Sequence, residues 1–205
     1  FIYSAGFKFI TVGEATISTS INDDNDLIIN TLVASNKFLD KLYRVRDNIK
    51  LVVNSDDFSL KKIEKDIIEG KWEKHYTAEI DSNLNVITKD NIIENDKVLF
   101  DPISIIYSLR NKQLLTGEKY EYDILGINEI KGLVAEVKGI ETIKVPAGKY
   151  KCIKVVPYSN SGGNIFKENG YMTAWFSNDD KKVPIQIELK TNIGNLVLKL
   201  KKIIP

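Results

Sequence analysis

Apolar and polar residues alternate with period two along most of this chain, and that pattern excludes more folds than any motif in it. Ala15, Ile17, Thr19 and Ile21 share one side against Glu14, Thr16, Ser18 and Ser20. Trp72, Tyr76, Ala78 and Ile80 oppose Lys71, Glu73, His75, Thr77 and Glu79, and Phe7 and Phe9 flank Lys8 in the same way. Ile185, Ile187 and Leu189 oppose Gln186, Glu188 and Lys190, while Leu196, Leu198 and Leu200 oppose Lys199 and Lys201. Successive side chains of an extended strand point to opposite faces, so such segments build sheets with one buried and one wet face. Sheets of that kind are antiparallel. The expectation is an all-β, antiparallel chain of about thirteen strands. Strand pairs are marginal alone in water, so the strands must form a two-layer sandwich or an open half-barrel. Periodicity leaves both open, and no fixed repeat suggests a propeller or solenoid.

The connections agree with this reading. Residues 22–26 (NDDND), 54–57 (NSDD), 81–83 (DSN), 177–181 (SNDDK) and 192–195 (NIGN) are short Asn, Asp and Gly clusters at hairpin spacing. Residues 157–170, with Gly162 and Gly163, form the one longer loop. A single stretch breaks the alternation. Asp101 and Pro102 precede Ile103, Ile106 and Tyr107, which fall on one helical stripe with Arg110 at its end. Asp101 suits the N-cap and Pro102 the first helical position, where its missing N–H does no harm. A short helix is expected near residues 101–110. No Gly-, Pro- or Ser-rich linker flanks it, so residues 1–205 are expected to form one domain, with two sub-sheets divided by the helix as a variant.

Composition now narrows the chemistry. Lys and Arg total 29 against 28 for Asp and Glu, a net charge of +1, which provides no field to recruit nucleic acid. The lysines at 149, 151, 154, 181 and 182 are interspersed with acids and read as a solvated sheet face. No apolar run approaches the roughly 20 residues of a membrane helix. One Cys and one His are too few for a structural zinc site. His75 lies on the polar side of its strand and Cys152 reads as a small buried hydrophobe. The acidic runs at 22–26 and 178–180 lack the closing Glu of a calcium loop and read as self-bonded turns. No nucleophile elbow, phosphate loop or dinucleotide motif occurs. No catalytic residue, metal or cofactor is therefore expected. The aromatic residues give the one hint of binding: Tyr120 and Tyr122 share one strand face, and Tyr171 and Trp175 share another. Most aromatics belong in a core between sheets, but these four are candidate ligand contacts for a partly open apolar groove.

Several fragments occur together in order: Gly6 and Gly13-Glu14-Ala15; Tyr43-x-Val45-x-Asp47; Asp101-Pro102-Ile103-Ser104-x-x-Tyr107-x-Leu109-Arg110; Val137-x-Gly139-x-Glu141 with Val145-Pro146-Ala147-Gly148-x-Tyr150; and Ala174-Trp175-Phe176-Ser177-x-Asp179 with Val183-Pro184-Ile185 and Gly194. This order resembles the exported bacterial proteins of the domain of unknown function numbered 3108, over nearly the whole chain. The resemblance implies an all-β body, export by a cleaved signal, and residence in the periplasm or at the outer membrane; the start at Phe1 fits removal of such a signal. It carries over no catalytic residue. Structural roles are expected for Asp101, Pro102, Tyr107, Arg110, Gly148 and Pro184. Gly148 suits a tight turn and Pro184 a strand start or edge, while Arg110 is expected against a carboxylate such as Asp47 or Asp179. The resulting expectation is a non-enzymatic envelope protein binding an apolar or amphipathic ligand, lipid included, or a protein partner through a concave β surface. An assembly module without a small ligand and a carboxylate-dependent glycan or lipid hydrolase are the alternatives. Oligomeric state is left open.

Overall fold

The computed structural model describes residues 1–7, 10–127, 129–159, 172–191 and 194–204. Fifteen strands and one α-helix are present: β1 (Ile2–Phe7), β2 (Ile10–Ile21), β3 (Leu27–Ser35), β4 (Val45–Val53), β5 (Leu60–Glu69), β6 (Trp72–Ile80), β7 (Val86–Thr88), β8 (Ile92–Ile93), β9 (Leu99–Phe100), α1 (Pro102–Arg110), β10 (Lys119–Leu125), β11 (Ile130–Val145), β12 (Gly148–Ser159), β13 (Met172–Ser177), β14 (Pro184–Thr191) and β15 (Gly194–Lys202). A short 3₁₀ turn lies at Leu39–Lys41. The fold is all-β and predominantly antiparallel. The strand count exceeds the expected thirteen because β8 and β9 are two residues each, too short to display alternation.

The strands follow the order β8-β7-β6-β5-β4-β3-β2-β1-β15-β14-β13-β12-β11-β10-β9, which is unclosed. Apart from β1 beside β15, every neighbour is a sequence neighbour, as hairpin turns dictate. Among the described pairings, the exception to the antiparallel pattern is β9 with β10, where Leu99 and Phe100 lie beside Asp123 and Ile124. Parallel neighbours need a crossover rather than a tight turn, and α1 supplies it.

Two compact units make up the chain: Gly13–Ile105 with Asp123–Ile130, and Phe1–Val12 with Ile106–Tyr122 and Lys131–Pro205. Their boundaries fall inside β2, α1, β10 and β11. In the first unit, Ile29, Leu51 and Ile63 are fully buried. In the second, Tyr3, Leu133, Cys152, Phe176, Ile185 and Leu200 are.

The Asn and Asp clusters act as turn formers by bonding their own backbone. Asn22 Oδ1 accepts from Asp26 N at 2.8 Å, Asn54 Oδ1 from Asp56 N at 2.8 Å, and Asp81 Oδ1 from Asn83 N and Asn85 N at 2.8 Å. Asp179 Oδ1 accepts from Lys181 N and Lys182 N at 3.0 and 3.1 Å. The expected turn at 192–195 and the loop at 157–170 lie largely outside the described residues, as do Lys8 and Phe9. Val145 pairs with Gly148 across a two-residue hairpin, and Gly148 has φ 141°, a conformation that side chains rarely adopt.

At the start of α1, Asp101 is 1% exposed. Its Oδ1 accepts from Ile103 N at 2.9 Å, which caps the helix, and its Oδ2 accepts from Lys65 Nζ of β5 at 2.9 Å. Ser104 Oγ accepts from Asp101 N and donates to Asp101 O, both at 3.0 Å. This cluster joins helix start to sheet within one unit. Asp101→Ala removes the cap and leaves a largely buried ammonium without its partner, a loss of about 3 kcal/mol. For a chain of this length the melting temperature falls by roughly 6–12 °C. Adding Lys65→Met recovers part of that loss, because no charge is then stranded; thermal denaturation of the single and double variants measures both.

Candidate functional site

One face of β3–β6 changes character along its length. The strand pairings place residues in transverse rows. The first row, Ile29, Leu51, Ile63 and Ala78, is apolar and buried. The second is Thr31, Ile49, Lys65 and Tyr76; the third is Val33, Asp47, Ile67 and Lys74. A fourth holds Val45, Glu69 and Trp72, with Ser35 Oγ accepting from Val45 N at 2.8 Å. Exposure rises along these rows, from complete burial at Ile63 to 44% at Trp72. An apolar floor thus passes into a polar, wetted margin on a single sheet face.

Each polar group in the middle rows has its own arrangement. Lys65 is held by Asp101, as described above. Asp47 Oδ1 accepts from Ile68 N at 3.3 Å. Tyr76 Oη donates to Gly126 O at 3.4 Å, and partial burial raises its phenol pKa. Thr31 differs: it is 6% exposed, and its Oγ1 has no hydrogen-bond partner. A buried hydroxyl left unbonded costs roughly 1–3 kcal/mol, and this one lies in the row shared with Ile49, Lys65 and Tyr76.

The residues singled out from sequence sit mainly in the other unit. Tyr122 is buried on β10 and donates from its hydroxyl to Ser108 Oγ of α1 at 3.3 Å. Tyr120, partly exposed on the same strand face, donates to Gln113 O. Trp175 is 5% exposed; its Nε1–H donates to Glu141, and Lys154 Nζ lies 5.3 Å from the ring centroid. Tyr171 lies outside the described residues. Tyr107 is buried, which pushes its phenol up to about 12. Pro184 opens β14 beside an irregularity in the β13 pairing, and its carbonyl accepts from Tyr3 Oη at 2.9 Å. Pro102 opens α1 behind the Asp101 cap.

Arg110 departs from its expected setting. Among the described residues it meets neither Asp47 nor Asp179. Its Nε donates to Lys181 O at 3.2 Å, and its guanidinium stands 5.4 Å from the ring centroids of Phe1 and Tyr107. Asp179 instead accepts from Ser177 Oγ at 2.9 Å and from the two turn amides. The turn thereby engages one oxygen of the carboxylate, Oδ1, and offers the arginine a carbonyl.

The chemistry of nucleophiles is muted. Burial pushes the Cys152 thiol up to about 11, the reverse of the shift a reactive thiolate needs. His75 Nδ1 lies 2.5 Å from Asp66 Oδ1 in an open setting, with both side chains more than half exposed. Among the described residues no group of three or more His, Cys, Asp or Glu is placed to hold a metal ion. Among the described residues no helix is long and apolar enough to cross a membrane.

The residues that make the amphipathic face were not picked out as a site from sequence, yet a signal existed. Lys74 interrupts the apolar side of Trp72, Tyr76 and Ala78, and Lys65 interrupts Ile63 and Ile67. Thr31 stands likewise between Ile29 and Val33. Polar residues in the apolar register of β3, β5 and β6 mark one region, but only the pairing register reveals their alignment.

These features define a predominantly antiparallel β protein with an amphipathic sheet face. Residues 2–201 match the family described as Protein of unknown function (DUF3108), and the chain belongs to that family. Among solved structures it is similar to a β-barrel-like protein of the domain of unknown function DUF1849 from Brucella abortus, with a TM-score of 0.63 and 8% identity over 97% of this chain and 93% of that one. This likeness shows the fold. A putative lipoprotein from Parabacteroides distasonis aligns with a TM-score of 0.29 and 12% identity over 94% of this chain and 95% of that one, too slight a likeness to argue from. No curated protein matches the chain.

Two measurements check this chemistry. Arg110→Ala strands no buried carboxylate, so it lowers stability by only about 1 kcal/mol, a melting shift of roughly 2–4 °C. Second, the Trp175 N–H bond to Glu141, aided by Lys154, holds that carboxyl below its ordinary range against a smaller effect of burial. A lowered folded pKa adds stability above the unfolded value and loses it as pH falls through the folded value. Trp175 fluorescence should therefore stay constant down to about pH 4.3, the free glutamate value, and change below it. Glu141→Gln should abolish that transition.

Proposed function

We propose that this protein is a non-catalytic component of the bacterial envelope whose β3–β6 face binds an apolar or amphipathic ligand. The observation that carries the reading is the Thr31 hydroxyl, buried and unbonded where the apolar floor meets the polar rows. A ligand would lay its hydrocarbon body against the half-buried Val33, Ile49 and Ile67 and turn a polar group towards Thr31, at the edge of the covered core of Ile29, Leu51 and Ile63. Lys74 and Asp47 in the next row would face the wetter part of such a molecule. Ligand sites commonly combine apolar walls with a few placed polar groups. Envelope residence is supported by the export that the family resemblance implies.

A carboxylate-dependent hydrolase has less support. Such an enzyme needs two carboxyl groups converging on one cleft. The buried carboxylates among the described residues, Asp26 and Asp101, each meet a lysine instead, Lys61 at 2.5 Å and Lys65 at 2.9 Å.

Thr31→Val separates the ligand role from a merely structural one. It replaces the unbonded hydroxyl by a methyl of the same shape, so the free protein gains about 1 kcal/mol of stability. Binding of a fluorescent polyene fatty acid should weaken roughly tenfold in the same variant. If the wild-type protein binds no such probe and shows no added mass by native mass spectrometry after isolation from its own envelope, the ligand reading falls.

A further inference from the structure

Phe38 and Leu42 are the most exposed large apolar side chains among the described residues, at 74% and 78%. They bracket the 3₁₀ turn at Leu39–Lys41 in the β3–β4 connection. Tyr43 follows them in the same connection and Trp72 opens β6, both 44% exposed. This connection and the β5–β6 turn form one tip of the Gly13–Ile105 unit: Gly70 N donates to Arg44 O at 2.8 Å, and the Tyr43 ring lies so close to Gly70 that a Cβ there would be 2.6 Å from it. The tip is held in shape from within. Asn36 Oδ1 accepts from Phe38 N and Leu39 N at 3.1 and 2.9 Å.

Its charge is mostly positive. Lys37, Lys41, Arg44 and Lys71 are all exposed on it, with Glu69 and Glu73 flanking Lys71 in the β5–β6 hairpin. The one acid in the connection, Asp40, is engaged by Arg46 at 2.6 Å and by Ser35. The whole chain carries only +1; at the tip these four cations and Arg46 outnumber Asp40, Glu69 and Glu73. We infer that this tip docks on an anionic lipid bilayer, with Phe38 and Leu42 entering the acyl boundary and the four cations meeting lipid headgroups. Trp and Tyr favour the level between the two, where an amphipathic ring is half wet. A protein interface fits less well, because lysine is depleted from the cores of such interfaces. The inference is independent of any ligand on the β3–β6 face.

Flotation with vesicles tests it, using equimolar phosphatidylglycerol and phosphatidylcholine against phosphatidylcholine alone. The protein should float with the anionic vesicles, less so at high salt, and Trp72 emission should shift to the blue. Trp175 is buried, so Trp72→Phe should remove that shift. Phe38→Ser with Leu42→Ser should weaken binding at least roughly tenfold. Lys37→Glu, Lys41→Glu and Lys71→Glu together should weaken it roughly a hundredfold. All five positions are exposed, and unchanged thermal melts would show that the variants fold. Absence of flotation, equal binding to neutral vesicles, or indifference to either set of substitutions overturns the inference. Concentration-dependent self-association that the Ser variants abolish, with flotation unaffected, would make the tip a protein interface and overturn it as well.

Discussion

The contact between Asp101 and Lys65 is the constraint around which the first unit is arranged. One carboxylate both caps α1 and receives an ammonium from β5. Its burial is tolerable because each oxygen is engaged and Ser104 binds the adjoining backbone. The same contact explains a lysine on an apolar sheet face. It also steadies β9, a two-residue strand immediately before the cap that pairs in parallel with β10. Such a short strand has little cohesion of its own, so the helix start beside it supplies what its own ladder cannot.

Away from that contact, the β3–β6 face grades from dry to wet within four transverse rows. The gradient is what distinguishes it from a plain core. Its second row contains an ammonium already satisfied by Asp101 and a hydroxyl satisfied by nothing. The candidates of the other unit have the opposite character. Tyr120, Tyr122 and Trp175 have each committed their polar atom to a neighbour in the chain. Aromatic side chains with their hydrogen bonds spent internally act chiefly as packing.

Legibility in the sequence follows the range of the interactions. The alternating strands, the self-bonding turns and the Asp101–Pro102 helix start depend on residues within a few positions of one another, and could be read directly. The two-residue strands offered too few positions for any period. Arg110 was misassigned a carboxylate for a different reason. Whether Asp179 faces outward or bonds its own turn amides depends on local geometry within 177–183, and there Ser177 and two turn amides hold its Oδ1.

Sequence by itself determined that this chain makes amphipathic, antiparallel strands with one capped helix, because period and capping are properties of neighbouring residues. Tertiary structure decided which strand faces align. Thr31, Lys65 and Tyr76 come from three strands and share a row only because the register places them there. Likewise, Asp101 meets a lysine 36 positions away, and the Tyr43 ring covers Gly70 across two loops. Contacts of that separation leave no local periodic trace, since their stabilisation appears only after the intervening chain has folded.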